Sequence, residues 1–177
     1  MNPIQLQNEL LRVEIALHGA ELLFFGGISG PNVLWSKQTD HWNRVAPNLF
    51  PIVGRLVDDS YTLEEKRYRM TQHGFARDRA FEVMEQSETA VRLRLVSDAE
   101  SMSVYPYAFV FEVVYALSDS GLSISYETQN TGKEVLFYAA GGHPAFYLKD
   151  KLEHYYLEFD TAIQLERHEL TGSYFSG

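Results

Sequence analysis

The sequence contains no cysteine and few basic residues for its length. The absence of cysteine excludes disulfide scaffolds, zinc ribbons, thiol catalysis and iron–sulfur ligation. The 15 lysine and arginine residues stand against 24 aspartate and glutamate residues, which gives a formal net charge of −9. Binding to nucleic acids or to anionic membranes needs a basic face. The charge balance therefore predicts no nucleic-acid partner.

The sequence also lacks a secretory signal and a long apolar run. Segment 1–5 has neither the basic start nor the apolar stretch of a signal peptide. The most apolar stretch, 105–117, contains Glu112 and is shorter than the roughly 20 residues that a membrane-spanning helix needs. These absences predict a soluble, cytoplasmic protein with no membrane partner.

Helical periodicity is nearly absent, whereas apolar and polar residues alternate with a period of two along most of the chain. Such alternation is typical of antiparallel sheets, in which one face is buried and the other is solvated. The 11 tyrosines and 11 phenylalanines suit the same half-buried surfaces. We therefore predict one all-β domain over residues 1–177, an antiparallel β-sandwich with meander connections. The predicted strands lie at 11–17, 81–83, 91–95, 109–115, 122–126 and 155–159.

Short polar segments mark the connections between these strands. Glu64-Glu65-Lys66, Ser118-Asp119-Ser120-Gly121 and Asn130-Thr131-Gly132-Lys133 predict tight turns. Only two short segments, 38–44 and 98–103, have a helical pattern.

Motifs for several common sites are missing. No two of the six histidines are spaced as His-x-His, and His168-Glu169 lacks the second histidine that a helical zinc protease needs. Neither a Walker loop, a Gly-x-Gly-x-x-Gly turn nor a Gly-x-Ser-x-Gly elbow occurs. The sequence therefore predicts no metal site and no cofactor.

Three segments combine reactive polar side chains with small or rigid neighbours. In the first, Arg55 is a lone charge in the apolar run 48–56. Burying an unpaired guanidinium is costly, so Arg55 has either a carboxylate partner, as an ion pair within the sandwich, or a polar ligand.

The other two segments each contain a histidine. His73 precedes a glycine that allows close approach of backbone or ligand, so it is either a hydrogen-bonded structural imidazole or a ligand contact. Arg77 and Asp78 predict a local salt bridge or a turn. His143 follows four small residues and precedes Pro144, which fixes the chain beside it. An imidazole, with an ordinary pKa of about 6.5, transfers protons near neutral pH, but a structural role for His143 stays open.

In their order along the chain, the three segments resemble motifs of the aldose 1-epimerase (galactose mutarotase-like) family, in particular its LacX-like branch. The motifs read Phe-Pro-Ile-Val-Gly-Arg-Leu at 50–56, His-Gly-Phe-Ala-Arg at 73–77 and Gly-Gly-His-Pro-Ala-Phe at 141–146. Segments 17–22 and 105–109 are also similar, and the resemblance spans roughly residues 6–160.

The resemblance implies a large β-sandwich of the galactose mutarotase type and an isomerase of carbohydrate metabolism. The implied reaction interconverts the α and β anomers of a small sugar, an aldohexose or a derivative, without metal or cofactor. By the resemblance, His143 donates the proton to the ring oxygen. His73 lies beside the sugar ring and belongs to both the catalytic and the substrate-binding residues, and Arg55 holds sugar hydroxyls.

The chain departs from the family pattern after the histidine strand. The general base of the family is a late glutamate, and a substrate-gripping aspartate also lies beyond that strand. Here Glu158, Glu166 and Glu169 are the late glutamates, and none has a matching context. The sequence thus resembles the amino-terminal part of a mutarotase, with an incomplete sandwich that we expect to self-associate through open sheet edges or exposed faces.

Two alternative functions stay open at this point. One is a carbohydrate-binding β domain without turnover that uses Arg55, His73 and aromatic walls. The other is a structural or partner-binding domain in which all three motifs belong to the core.

Overall fold

The computed structural model describes residues 2–36, 42–164, 169–171 and 174–175, which form a fold built almost entirely of strands. The only α-helix in these ranges, α1, spans Ala99–Val104, and short 3₁₀ turns lie at Val57–Asp59, Ala76–Asp78 and Leu152–His154. The strands are β1 (Ile4–Gln7), β2 (Leu11–Ile15), β3 (Leu22–Gly27), β4 (Asn48–Leu49), β5 (Ser60–Leu63), β6 (Lys66–Arg69), β7 (Glu82–Gln86), β8 (Ala90–Val96), β9 (Phe109–Ser118), β10 (Gly121–Asn130), β11 (Gly141–Gly142), β12 (Leu170–Thr171) and β13 (Tyr174–Phe175).

Two meander sheets carry most of the fold. The first sheet has the order β1-β2-β3 and the second the order β10-β9-β8-β7. Each neighbouring pair is antiparallel, and β9 and β10 stay in register over their whole length, from Gly121 opposite Ser118 to Asn130 opposite Phe109. Three further strand pairs, β4–β11, β5–β6 and β12–β13, form separate two-stranded sheets. The predicted antiparallel architecture is confirmed.

The inward faces of the two larger sheets share one core. Val13 and Ile15 of the first sheet and Phe109, Phe111 and Tyr115 of the second are fully buried in the same cluster. Each such side chain contributes roughly 1.5–3 kcal/mol of hydrophobic free energy.

Phe50, the residue after β4, is anchored in this core. It is fully buried, and its ring stacks on the Phe111 ring with centroids 4.4 Å apart. The core therefore fixes the start of the motif that contains Arg55.

Two of the three predicted turns and one predicted helix are confirmed, whereas segment 130–133 leads from β10 into irregular backbone and not into another strand. Glu64 and Glu65 both have positive φ between β5 and β6, as a tight hairpin turn requires. Gly121 closes the β9–β10 hairpin with a φ of 153°. Helix α1 begins after Asp98, whose side chain accepts a hydrogen bond from the Ser101 amide at 2.7 Å in a capping box.

The prediction of a strand over 155–159 is wrong. These residues follow the 3₁₀ turn Leu152–His154 in an irregular conformation, and the chain pairs them with no strand of the described ranges. Both sets of alternating side chains are exposed, as Tyr156 at 82% and Leu157 at 86% show. Alternation produces a strand only where a hydrogen-bonding partner and a covering apolar layer are both present.

The helical prediction at 38–44 falls mostly outside the described residues. Of that segment, 42–44 is irregular rather than helical. No helix in the described ranges is long and apolar enough to cross a membrane.

Candidate active site

Gly54 and His73 are joined by two hydrogen bonds. The Gly54 amide donates to His73 Nδ1 at 3.0 Å, and the His73 amide donates to the Gly54 carbonyl oxygen at 2.8 Å. Because Nδ1 accepts a hydrogen bond, the neutral imidazole carries its hydrogen on Nε2. Both residues have positive φ, 93° at Gly54 and 66° at His73. The imidazole is thus held in one tautomer, with Nε2–H as its donor.

Gly74 lies directly against the Phe50 carbonyl group. Its φ is 71°, and a Cβ atom at this position would overlap the Phe50 carbonyl oxygen. That oxygen accepts hydrogen bonds from the amides of Phe75 at 3.0 Å and Ala76 at 3.1 Å. The glycine after His73 is therefore required by close backbone approach, as its motif predicts.

The pairing of β11 with β4 brings His143 to the same place. The His143 amide donates to the Pro47 carbonyl oxygen at 3.1 Å, just past the β4–β11 pair. The exposed His143 ring lies beside the His73 ring, with centroids 5.6 Å apart and ring planes tilted by 59°. The structure thus brings together two predicted site histidines that are far apart in the sequence.

The environment of His73 lowers its pKa. Burial of the imidazole is the largest cause, followed by the positive charge of Arg77 and the neighbouring His143. His73 is therefore neutral at pH 7, the form in which Nδ1 accepts the Gly54 hydrogen bond.

Arg77, whose positive charge contributes to the lowered pKa of His73, belongs to a cluster of ion pairs. Its Nε lies 3.7 Å from Asp78, so the predicted local salt bridge is confirmed. Asp78 also pairs with Arg44 at 2.6 Å. Burial and the charge of Arg44 lower the pKa of Arg77.

Arg55 follows Gly54 and lies at the surface. Its side chain is 60% exposed and forms two hydrogen bonds with Asp59, Nε–Oδ1 at 2.8 Å and Nη2–Oδ2 at 3.0 Å. The hydrogen bond to Asp59 raises the pKa of Arg55, and the pKa of Asp59 is lowered by the same bond. The expected carboxylate partner is present, but the ion pair is at the surface and not within the sandwich.

Trp42 is a site residue that the sequence reasoning missed. Its ring contacts the His143 ring, with centroids 5.4 Å apart and a tilt of 53°. The Trp42 carbonyl oxygen accepts a hydrogen bond from Trp35 Nε1 at 3.0 Å, which fixes the backbone there. Trp42 lies in the segment interpreted as a helix, and its one distinguishing signal is that it is one of only 2 tryptophans in the sequence.

The late glutamates do not complete this site within the described part of the chain. Glu158 and Glu169 are exposed, and Glu166 lies outside the described residues. No hydrogen bond or ion pair joins a described carboxylate to the ring of His73 or His143. In the same ranges, no three histidine, aspartate or glutamate side chains are grouped as metal ligands would be.

Comparison with known proteins assigns the chain to a family. The family model of aldose 1-epimerase matches residues 3–173. The chain belongs to the aldose 1-epimerase family. Its all-β fold is of the galactose mutarotase-like type, as two solved structures show.

This aldose 1-epimerase family member is 33% identical over 166 residues to the plasmid protein LacX of Lactococcus lactis subsp. lactis, covering 88% of this chain and 56% of LacX. A galactose mutarotase-related enzyme from Lactobacillus acidophilus superposes with a TM-score of 0.82 at 35% identity, covering 85% of this chain and 50% of that one. A galactose mutarotase-like protein from Lactobacillus casei gives a TM-score of 0.81 at 36% identity, with 85% and 52% covered. The chain thus spans about half the length of these relatives.

Proposed function

We propose that this chain binds an aldose at the His73–His143 pair and takes part in interconversion of its anomers. The observation that carries the proposal is the placement of two imidazoles 5.6 Å apart, one of them locked in a single tautomer, in a chain of the aldose 1-epimerase family. Imidazoles are the side chains best suited to move protons near neutral pH.

The two histidines take different roles in the proposed reaction. His143, exposed and held only through its backbone among the described hydrogen bonds, donates a proton to the sugar ring oxygen. The C1–ring oxygen bond then breaks while the C1 hydroxyl gives its proton to a solvent water molecule, and the open aldehyde turns about the C1–C2 bond. Ring closure on the other face reverses these proton transfers, so the reaction consumes no proton. His73 stays neutral and donates from Nε2–H to a sugar oxygen.

Arg55 and Trp42 complete the proposed binding site. Arg55 is exposed beside Gly54, and its guanidinium can exchange one of its hydrogen bonds with Asp59 for a sugar hydroxyl. Trp42 borders His143 and offers an aromatic face to the apolar C–H groups of a sugar ring. The proposed site therefore offers both polar groups and an aromatic ring to the sugar.

The acceptor of the C1 hydroxyl proton is the part of the reaction that the described residues do not supply. A carbohydrate-binding domain without turnover is accordingly the second candidate function. The exposed Arg55–Asp59 pair and the aromatic wall at Trp42 favour it, since both serve binding alone.

Exchange NMR between the C1 resonances of α- and β-D-glucose separates the two functions. We expect the purified chain to exchange the anomers faster than buffer alone. His143→Asn should cut the enzymatic rate by about 10²–10⁴, with a much smaller change in KM. His154→Asn, which removes an exposed imidazole paired with Asp150, is the matched control. Exchange at the buffer rate, with sugar binding retained, would support the binding domain instead.

We also propose that the chain self-associates through the apolar surface of residues 135–163. Val135 is 68% exposed, Phe137 69% and Leu152 74%. The accessible surface of the chain is 12116 Å², whereas a compact monomer of 20.3 kDa exposes about 8,800 Å². This excess is larger than the roughly 800 Å² that each partner of a standard-size interface buries. The cytoplasmic location and the single domain over 1–177 stay predictions.

A further inference from the structure

The side-chain amide of Asn48 is the centre of a buried hydrogen-bond network. Asn48 is 1% exposed, and its Nδ2 donates to the carbonyl oxygens of Gly19 at 3.0 Å and Ala20 at 2.8 Å. Its Oδ1 accepts from the Tyr126 hydroxyl at 2.9 Å. The Tyr115 hydroxyl, 3.2 Å from Nδ2, donates to the Ala20 carbonyl oxygen at 2.7 Å. The network thus ties β4 to the connection between β2 and β3 and to strands β9 and β10.

This network lies directly behind the segment that carries His143. Asn48 is the register partner of Gly142, the residue before His143. Past that pair, in the direction of His143, the His143 amide donates to the Pro47 carbonyl oxygen at 3.1 Å and the Ala145 amide to the Val45 carbonyl oxygen at 2.9 Å. Any displacement of β4 is therefore transmitted to the backbone of His143.

The Tyr126 hydroxyl contacts the same segment from β10. A Cβ atom added at Gly142 would lie 2.7 Å from this hydroxyl oxygen, whereas its other nearest atoms, in Pro144 and the Tyr126 ring, are 3.8 Å away. The Tyr126 ring is held parallel to Phe111, with centroids 6.2 Å apart. Burial raises the pKa of Tyr126 to about 12, so the hydroxyl keeps the proton that it donates to Asn48.

On the basis of the proposed function, we propose that Tyr126 and Asn48 are positioning residues for His143. The hydroxyl of Tyr126 supports Asn48 and limits how far Gly142 can move toward β10. Together the two side chains set where the His143 imidazole lies relative to the ring of His73. Neither residue needs to touch the sugar for this role.

Tyr126→Phe tests the proposal because it removes only the hydroxyl and keeps the ring stacked on Phe111. Tyr61→Phe is the matched control, since the Tyr61 hydroxyl also donates to a carbonyl oxygen, that of Val104 at 2.8 Å, and its ring is also stacked. In imidazole ¹H–¹⁵N spectra, we expect the His143 resonances to move in Tyr126→Phe and to stay in place in Tyr61→Phe. Where anomer exchange is measured, kcat should fall up to about 100-fold with KM nearly unchanged.

Gly142→Ala supplies a second, independent test. In the parent chain the new methyl group meets the Tyr126 hydroxyl and should displace His143, whereas in the Tyr126→Phe background its nearest atoms are at ordinary contact distance. We therefore expect the methyl group to shift the His143 resonances strongly in the parent chain and weakly in the Tyr126→Phe chain. Equal shifts in the two backgrounds would overturn the steric part of the proposal.

The outcomes separate this proposal from the proposed function. If the His143 resonances are the same in Tyr126→Phe and Tyr61→Phe, the positioning role is wrong. The proposed function is unaffected by that outcome, provided that D-glucose shifts the imidazole resonances of the parent chain. If D-glucose leaves the imidazoles of the parent chain unchanged, the proposed function is wrong. The variant spectra recorded without sugar still decide the positioning role.

Discussion

Gly54 and His73 are joined by one hydrogen bond between their backbones and by a second one from the Gly54 backbone to the His73 side chain. The Gly54 amide donates to His73 Nδ1 at 3.0 Å, and the Gly54 carbonyl oxygen accepts from the His73 amide at 2.8 Å. Because a protonated Nδ1 cannot accept the first of these bonds, this geometry favours the neutral ring. The residue that follows Gly54 is Arg55, so the same turn positions an imidazole and a guanidinium.

The first prediction concerns the protonation of His73. Its folded-state pKa is lowered below the ordinary value of about 6.5, mainly by burial. The unfolded chain therefore binds more protons at this residue than the folded chain does once the pH falls to about 6.5 and below. Stability contributed by neutral His73 is fully present above pH 6.5 and is lost as the pH falls toward the lowered folded-state pKa.

The measurement is the unfolding free energy from urea titrations between pH 7.5 and pH 5. His73→Asn is the reference, because asparagine tolerates positive φ and its side-chain oxygen can accept the Gly54 hydrogen bond without titrating. We expect the parent chain to lose more stability than His73→Asn over this range. Parallel pH profiles for the two chains would contradict a lowered pKa.

The second prediction concerns Arg55 and Asp59. Since Arg55 is largely exposed, Arg55→Ala should weaken aldose binding or raise KM while leaving the melting temperature nearly unchanged. Asp59→Asn keeps Arg55 but removes its charged partner, so binding should not weaken. If both variants melt at a sharply lower temperature and bind sugar normally, the pair is structural.

The third prediction concerns Trp42. Its contact with His143 puts it at the proposed sugar site, so a bound aldose should alter its fluorescence. The signal should disappear in Trp42→Phe, in which Trp35 is the remaining tryptophan of the chain. A sugar-dependent change that survives in Trp42→Phe would place the sugar elsewhere.

The sequence predicted the fold well where alternation coincides with burial on one face. The alternation of apolar and polar residues predicts strands β2, β8 and β9 correctly. In all three strands, the apolar residues face a core that is shared by two sheets. The same alternation at 155–159 failed, since Leu157 and Tyr156 are both exposed and no described strand pairs with them. Alternation shows that one face of a segment is apolar. It does not show whether a neighbouring layer covers that face.

The motifs predict which residues belong to the candidate site, but they do not predict how those residues are arranged in space. The resemblance selected His73, His143 and Arg55, and the structure brings the two histidines together. The tautomer of His73 depends on positive φ at Gly54 and at His73 itself, which sequence spacing does not specify. The contact of Trp42 with His143 joins distant parts of the chain and leaves no local pattern.

The fourth prediction concerns self-association. Sedimentation equilibrium at micromolar concentration should give a mass above 20.3 kDa, and association should strengthen with salt because the net charge of −9 is then screened. Leu157→Lys, at a side chain that is 86% exposed within 135–163, should weaken association. Leu10→Lys, at a 56% exposed leucine outside that surface, should not. A monomer at every salt concentration would refute the proposed interface.

The most direct test of the account is a titration of the ¹⁵N-labelled chain with D-glucose and D-galactose, followed through the imidazole resonances. The central claim is that His73 and His143 form the two sides of one aldose site. We predict saturable shifts of both imidazoles with a common dissociation constant, while His154, paired with Asp150, stays unchanged. Unchanged His73 and His143 resonances at saturating sugar, in a chain with a folded spectrum, would contradict it.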